Sequence, residues 1–189
     1  MPAPTLLPWT GNDAADRLIA TDPNALLIGF VLDQQITVQK AFSGPAILRQ
    51  RLGHLDPARI AAMDAGAFLA ICREQPAVHR FPGTMAARLQ ALCAVIADDY
   101  QGDAARIWTE SVDATELAGR LGALPGIGEM KVRTLITLLH RQYGVRLTGI
   151  EALLPQHRTL GDVTSTEELA TYQAEKRAAK VAKRRAEAA

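Results

Sequence analysis

The string Leu124-Pro125-Gly126-Ile127-Gly128 carries the most specific chemistry in this chain of 189 residues. Pro125 cannot continue a helix interior, and Gly126 and Gly128 permit backbone angles closed to other residues. Ile127 between them reads as an apolar plug that locks the turn onto flanking helices. A helix starting right after Gly128 leaves its first amides without internal partners and pointing outward, where they can bind a phosphate. Bare glycines let that phosphate approach the backbone closely. Such a contact positions a nucleic acid without reading its sequence. The plain alternative is a tight Pro-Gly turn between two packed helices.

A second phosphate-seeking feature is the tail. From Thr171 to Ala189 the bases Lys176, Arg177, Lys180, Lys183, Arg184 and Arg185 stand against Glu175 and Glu187. Six bases and two acids give this segment +4, so with a net charge of +1 the remainder is near −3. A cationic tail on a near-neutral body is either an electrostatic tether for phosphates or a solvated C-terminus. Cys72 and Cys93 are the only thiols. Two cannot supply the four ligands of an iron–sulfur cluster or a structural zinc site, and their apolar neighbours read as core. Hydrophobic residues make up 48% of the chain, enough for a genuine core. No run approaches the roughly 18 apolar residues of a membrane span. Met1-Pro2-Ala3-Pro4 lacks the basic start of a secretory signal. A cytoplasmic, monomeric protein without a membrane partner is expected.

The elements that must position these groups read as helix after helix, with no sustained period-2 alternation. Asp22-Pro23 opens an apolar stretch from Ala25 to Leu32, and Asp56-Pro57 opens a short helix through Ala62. Asp64 caps a helix to Arg73, and Thr84 precedes one from Met85 to Asp98. Asp113 and Glu116 have capping-box spacing ahead of a helix ending near Gly122. Met130 to Arg141 follows, then an Ala- and Lys-rich last helix opened by Thr164 and Glu167. The expectation is an all-α fold of about eight or nine helices. It divides into an N-terminal segment (1–20), a main domain (21–150) and a C-terminal loop with a basic helix (151–189).

The hairpin resembles that of the helix-hairpin-helix (HhH-GPD) DNA glycosylases of base-excision repair. Two further stretches agree. Leu26 to Thr37, with Asp33-Gln34-Gln35 inside it, is similar to the family's early glutamine-bearing helix end, and Phe81 to Leu89 is similar to the opening of a later helix. More narrowly, Ala41-Phe42-Ser43-Gly44-Pro45, His79-Arg80-Phe81-Pro82-Gly83 and Gln142-Tyr143-Gly144-Val145 resemble runs in a small actinobacterial-type group of bacterial proteins with this domain.

The resemblance implies that the hairpin (Leu124, Pro125, Gly126, Ile127, Gly128, with Lys131) grips damaged or distorted double-stranded DNA in the nucleoid. A target nucleotide is flipped into a cleft, at a cost of about a few kcal/mol, while Gln34 or its neighbour Gln35 fills the vacated stack. It implies no resident cofactor and no metal, and leaves open a monovalent cation at the hairpin. The family's aspartate, roughly twenty residues past the hairpin, has no counterpart here. Glu151 is the only carboxylate in that window, and Asp33 beside the glutamines is the other candidate. The lyase members' lysine falls at Met130. Lys131, one residue and about 100° further round a helix, should point away from the cleft, so hydrolysis without strand cleavage is the expected chemistry. Few aromatics offer to stack on a flipped base, Trp9, Trp108, Tyr100, Tyr143 and Phe42 among them. The expected function is a monofunctional DNA glycosylase. A non-catalytic protein binding bent or damaged duplex is the alternative, and a fold recruited for protein contacts is a third.

Overall fold

The computed structural model describes residues 3–187, and all regular structure among them is helical. Helix α1 (Asp13–Thr21) opens on Asn12, whose Oδ1 accepts the Ala15 amide at 3.0 Å. Helix α2 (Pro23–Leu32) opens on Asp22, which accepts the amides of Asn24 and Ala25. Helix α3 (Val38–Leu52) starts from Thr37, α4 (Pro57–Ala61) from Asp56 and α5 (Ala65–Arg73) from Asp64. Helix α6 (Pro82–Tyr100) follows, then a single turn, α7 (Arg106–Thr109). Helices α8 (Ala114–Gly122) and α9 (Glu129–Arg141) flank the hairpin. The chain ends with the short α10 (Ile150–Leu153), a 3-10 turn at Leu160–Asp162, and α11 (Thr166–Glu187). No helix among the described residues is long and apolar enough to cross a membrane.

Eleven helices exceed the eight or nine expected. The sequence reading places seven of them individually and does not place α1, α3 or the one-turn α7 and α10. Pro45 lies inside α3, where Gly44-Pro45 reads as a break. The helix tolerates it because Gly44 packs bare against the Leu32 side chain, so tertiary contact overrides local propensity. At α6 the proline at position 82 supplies the first turn, two residues ahead of Thr84, and no side chain caps it. At α11 the cap is one residue later than the spacing suggests. Ser165 Oγ accepts the Glu168 amide, and the Glu168 carboxylate takes the Thr164 amide at 2.7 Å.

Helix α2 is buried on every side from Ala25 to Leu32, wrapped by α1, α3 and α6. Phe30, Phe42 and Trp9 meet edge to face beside it, with centroids 4.8–6.2 Å apart. The Trp9 indole donates to the Val163 carbonyl at 3.3 Å, so Leu7, Trp9 and the segment before α11 seal one core. Cys72 and Cys93 are buried thiols with pKa values pushed up by burial, to about 11 and about 12. They are packing residues. The 3-10 turn lies flat on α9 through Gly161, where a Cβ would stand 2.6 Å from the Leu138 amide nitrogen and the Thr134 carbonyl. Gly161→Ala is therefore expected to lower stability by roughly 2–3 kcal/mol, read as a denaturation midpoint shift, because backbone cannot retreat as a side chain can.

Candidate nucleic-acid interface

The hairpin forms as its residues require. Gly126 has φ +81°, and a Cβ there would meet Val31 Cγ1 at 3.3 Å, so both conformation and space demand glycine. Leu124 and Ile127 are buried, Pro125 is half-buried, and the Ile127 amide donates to the Leu124 carbonyl at 3.1 Å. Gly128 is exposed, caps α9 with an extended backbone, and has nothing within 4 Å of where a Cβ would stand. No protein acceptor among the described residues meets the amides of Gly128, Glu129 and Met130. The outward face is thus an open set of donors at the positive end of a thirteen-residue helix.

The hairpin packs on the C-terminal end of α2, and there the two glutamines separate. Gln34 is tied inward: its amide nitrogen donates to the Val31 carbonyl at 2.9 Å, and its amide oxygen accepts from the Arg88 guanidinium. The Gln34 carbonyl accepts from Nε2 of His79, which is 1% exposed, while the Phe81 amide donates to His79 Nδ1. Those two bonds fix the neutral tautomer, and burial pushes the His79 pKa down. Gln35 instead is exposed, with φ +56°, a left-handed conformation unfavourable for a residue with a Cβ. Its side chain is held out beside the half-exposed Phe81, whose ring carries the Arg80 guanidinium 4.6 Å from its centroid.

Asp33 is the C-cap of α2 and half-buried. Burial raises its pKa, and the ammonium groups of Lys176 and Lys131 partly oppose that rise. Between carboxylate and ammoniums lies a cavity of about 170 Å³, walled by Phe30, Leu160 and Tyr172. Lys131 does not point away. Its stem folds back beneath the hairpin, and Nζ donates to the Gly126 carbonyl at 3.2 Å while facing Asp33. The helix-wheel expectation fails because the end of α2, packed under Gly126, lies on the Lys131 side of α9. Burial drives the Lys131 pKa down to about 8, with Asp33 opposing and Arg88 and Lys176 adding to the fall. Met130, at the position expected for a lyase lysine, is 72% exposed and opens outward.

The chain matches no protein-family model, no characterised protein and no solved structure.

Other candidates lie elsewhere. Glu151 is exposed on α10, which packs against α8 and α9 where the Ala114 amide meets the Thr148 carbonyl. That is the end of the helix pair remote from the hairpin, about the length of α8 away, roughly 13 Å for nine residues. The structure does not bring it to Asp33. Among the aromatics, Trp9 and Phe42 are core, and Trp108 stacks edge-on with Tyr143, whose hydroxyl donates to the Ala20 carbonyl at 2.9 Å. Tyr172 and Phe30, not singled out by sequence reasoning, line the Asp33 cavity instead. The only signal for Tyr172 was an aromatic in an otherwise Ala- and Lys-rich helix.

The depressed Lys131 pKa sets a sign for stability. Between about 8 and the ordinary value of 10.5 the unfolded chain holds a proton that the folded chain has released. Stability therefore rises with pH across that window. Lys131→Met keeps the stem and removes the charge, at the loss of a favourable neighbour for Asp33. Thermal melts should show it roughly 1 kcal/mol more stable at pH 7, about 2–4 °C in Tm, with the rise above pH 8 abolished. A less stable variant would mean that the bond to Gly126 outweighs the burial of charge.

Proposed function

We propose that this protein binds damaged or distorted double-stranded DNA through the hairpin and excises a base by hydrolysing its N-glycosidic bond. The observation that carries this reading is that Asp33 and the hairpin converge: Lys131 holds the Gly126 carbonyl and faces the Asp33 cavity. A backbone phosphate at the open amides of α9 places its neighbouring sugar beside that cavity. Gln35, presented outward, occupies the space left in the stack, and an amide suits the role because it both donates and accepts against an orphaned base.

The chemistry follows from charge. As the bond from C1′ to the base nitrogen breaks, its electron pair leaves with the base, which takes a proton from solvent. The sugar becomes cationic. The Asp33 carboxylate and the carbonyl end of α2 place negative potential beside it. Water then adds to C1′ and surrenders a proton to Asp33, whose raised pKa makes it a better base. Lys131 and Lys176 neutralise the flanking phosphates.

A second reading rests on the position of Lys131. With a pKa of about 8, part of the population carries a neutral amine at neutral pH. That amine can displace the base at C1′ and lose a proton. The C1′–O4′ bond then opens, O4′ takes a proton, and the resulting imine loses a C2′ proton and expels the 3′ phosphate. The hydrolytic and imine readings differ in one product.

Duplexes carrying single lesions, treated with alkali to reveal abasic sites, test excision. Asp33→Asn should reduce it by about 10²-fold or more, and Glu151→Gln should leave it unchanged. The wild-type rate should fall as pH drops through the raised Asp33 pKa, the base form being required. Strand cleavage without alkali, with a borohydride-trapped adduct lost in Lys131→Met, would select the imine route. Absence of excision on every lesion, with salt-dependent duplex binding intact, would reduce the protein to a binding module. Gly128→Val leaves the fold intact yet covers the amides, and should weaken binding to all duplex sequences alike by about tenfold.

A further inference from the structure

A larger groove adjoins the cavity at Asp33. This groove of about 370 Å³ runs between α9, the 157–159 loop and α11, and shares Met130, Thr134, Tyr172 and Lys176 with the Asp33 cavity. Its volume lies in the range of about 300–1,000 Å³ typical of small-ligand sites. The floor is apolar where Met130, exposed to an extent unusual for its size, faces Tyr172.

The rim is rich in donors. Arg133, His157, Arg158 and Lys176 line it, against one carboxylate, Glu175. Arg133 and Arg158 are each paired with a carboxylate, Glu129 at 2.9 Å and Glu168 at 3.2 Å. A guanidinium has five N–H donors, so a single pairing leaves others free. Lys176 stands 5.6 Å from the centroid of the Tyr172 ring, already occupying one aromatic face with positive charge. Thr134 and Thr159 add little, since their hydroxyls are committed to the Met130 carbonyl and the Asp162 carboxylate.

We infer that this groove receives the flipped base, and that it selects bases with carbonyl-rich edges, deaminated or oxidised, over cationic alkylated ones. This rests on the excision reading above: with the sugar at Asp33, the attached base extends past Met130 and Tyr172 into the groove. A planar base fits the apolar floor, and its carbonyl oxygens accept from the Arg158, Arg133 and His157 side. A base carrying a positive charge finds donors rather than acceptors along that side and an aromatic face already taken by Lys176.

Binding is measured with the full-length Asp33→Asn protein, to prevent turnover, on duplexes that differ at one position. The position holds uracil, 8-oxoguanine, 7-methylguanine, or a tetrahydrofuran abasic analogue with no base. Uracil or 8-oxoguanine should bind at least about tenfold more tightly than 7-methylguanine. Adding His157→Gln and Arg158→Gln should erase that preference while leaving affinity for the abasic analogue within about twofold. Tight binding of the abasic analogue without lesion preference, or with 7-methylguanine preferred, overturns the groove assignment and leaves the DNA reading standing. Failure to bind even the abasic analogue overturns both.

Discussion

Helix α2 has no polar side between Ala25 and Leu32, so it exists only when surrounded, and much of the molecule follows from surrounding it. Helices α1, α3 and α6 close around it, and Trp9 and Val163 complete the wall from the two flanking segments. A fully buried helix must nevertheless end, and its last carbonyls need solvent or donors. It ends at Asp33, where the hairpin packs down on Val31 and Gln34. The burial of α2 thereby delivers a carboxylate and two glutamines to the base of the hairpin, beneath the open amides of α9. The polar atoms are there because the apolar ones had to stop.

That placement works against stability. A carboxylate at a helix C-terminus meets the negative end of the dipole, and both Asp33 and Lys131 are shifted toward their neutral forms by burial. No ion pair joins them among the described residues; instead a cavity stands between. Groups kept apart, half-desolvated and facing an opening are poorly arranged for holding a fold together and well arranged for meeting charge that arrives from outside. The left-handed Gln35 beside them is a further unfavourable conformation in the same place. Gln34, His79 and Arg88 form the rigid support that keeps it presented.

Much of this was legible in the chain, and what was not has physical causes. Asp22, Asp56, Asp64 and Asp113 cap helices as their spacing indicates, and the hairpin glycines behave as their type requires. Helix α3 escaped notice because Gly44-Pro45 breaks the local pattern, and only the Leu32 packing reveals why the glycine is there. Asp33 and Glu151 were two carboxylates between which sequence spacing does not choose; the burial of α2 puts Asp33 under the hairpin and leaves Glu151 exposed on α10. Lys131 was turned the wrong way because a helix wheel gives directions around one axis and says nothing of which neighbour lies there. Tyr172 and Lys176 reach the cavity across about 140 residues of chain, and no local signal encodes a contact of that range.

If the protein binds duplex as proposed, the open amides after Gly126, the presented Gln35 and the Asp33 cavity form one DNA-facing surface. Amide chemical-shift mapping, with a short duplex holding a tetrahydrofuran abasic analogue titrated into isotopically labelled protein, tests it directly. The account predicts perturbations concentrated at Gly126–Met130, Asp33–Gln35, Phe81 and Tyr172, lost as salt is raised. Perturbations centred on α4, α5 or α10, or none at all, would contradict it.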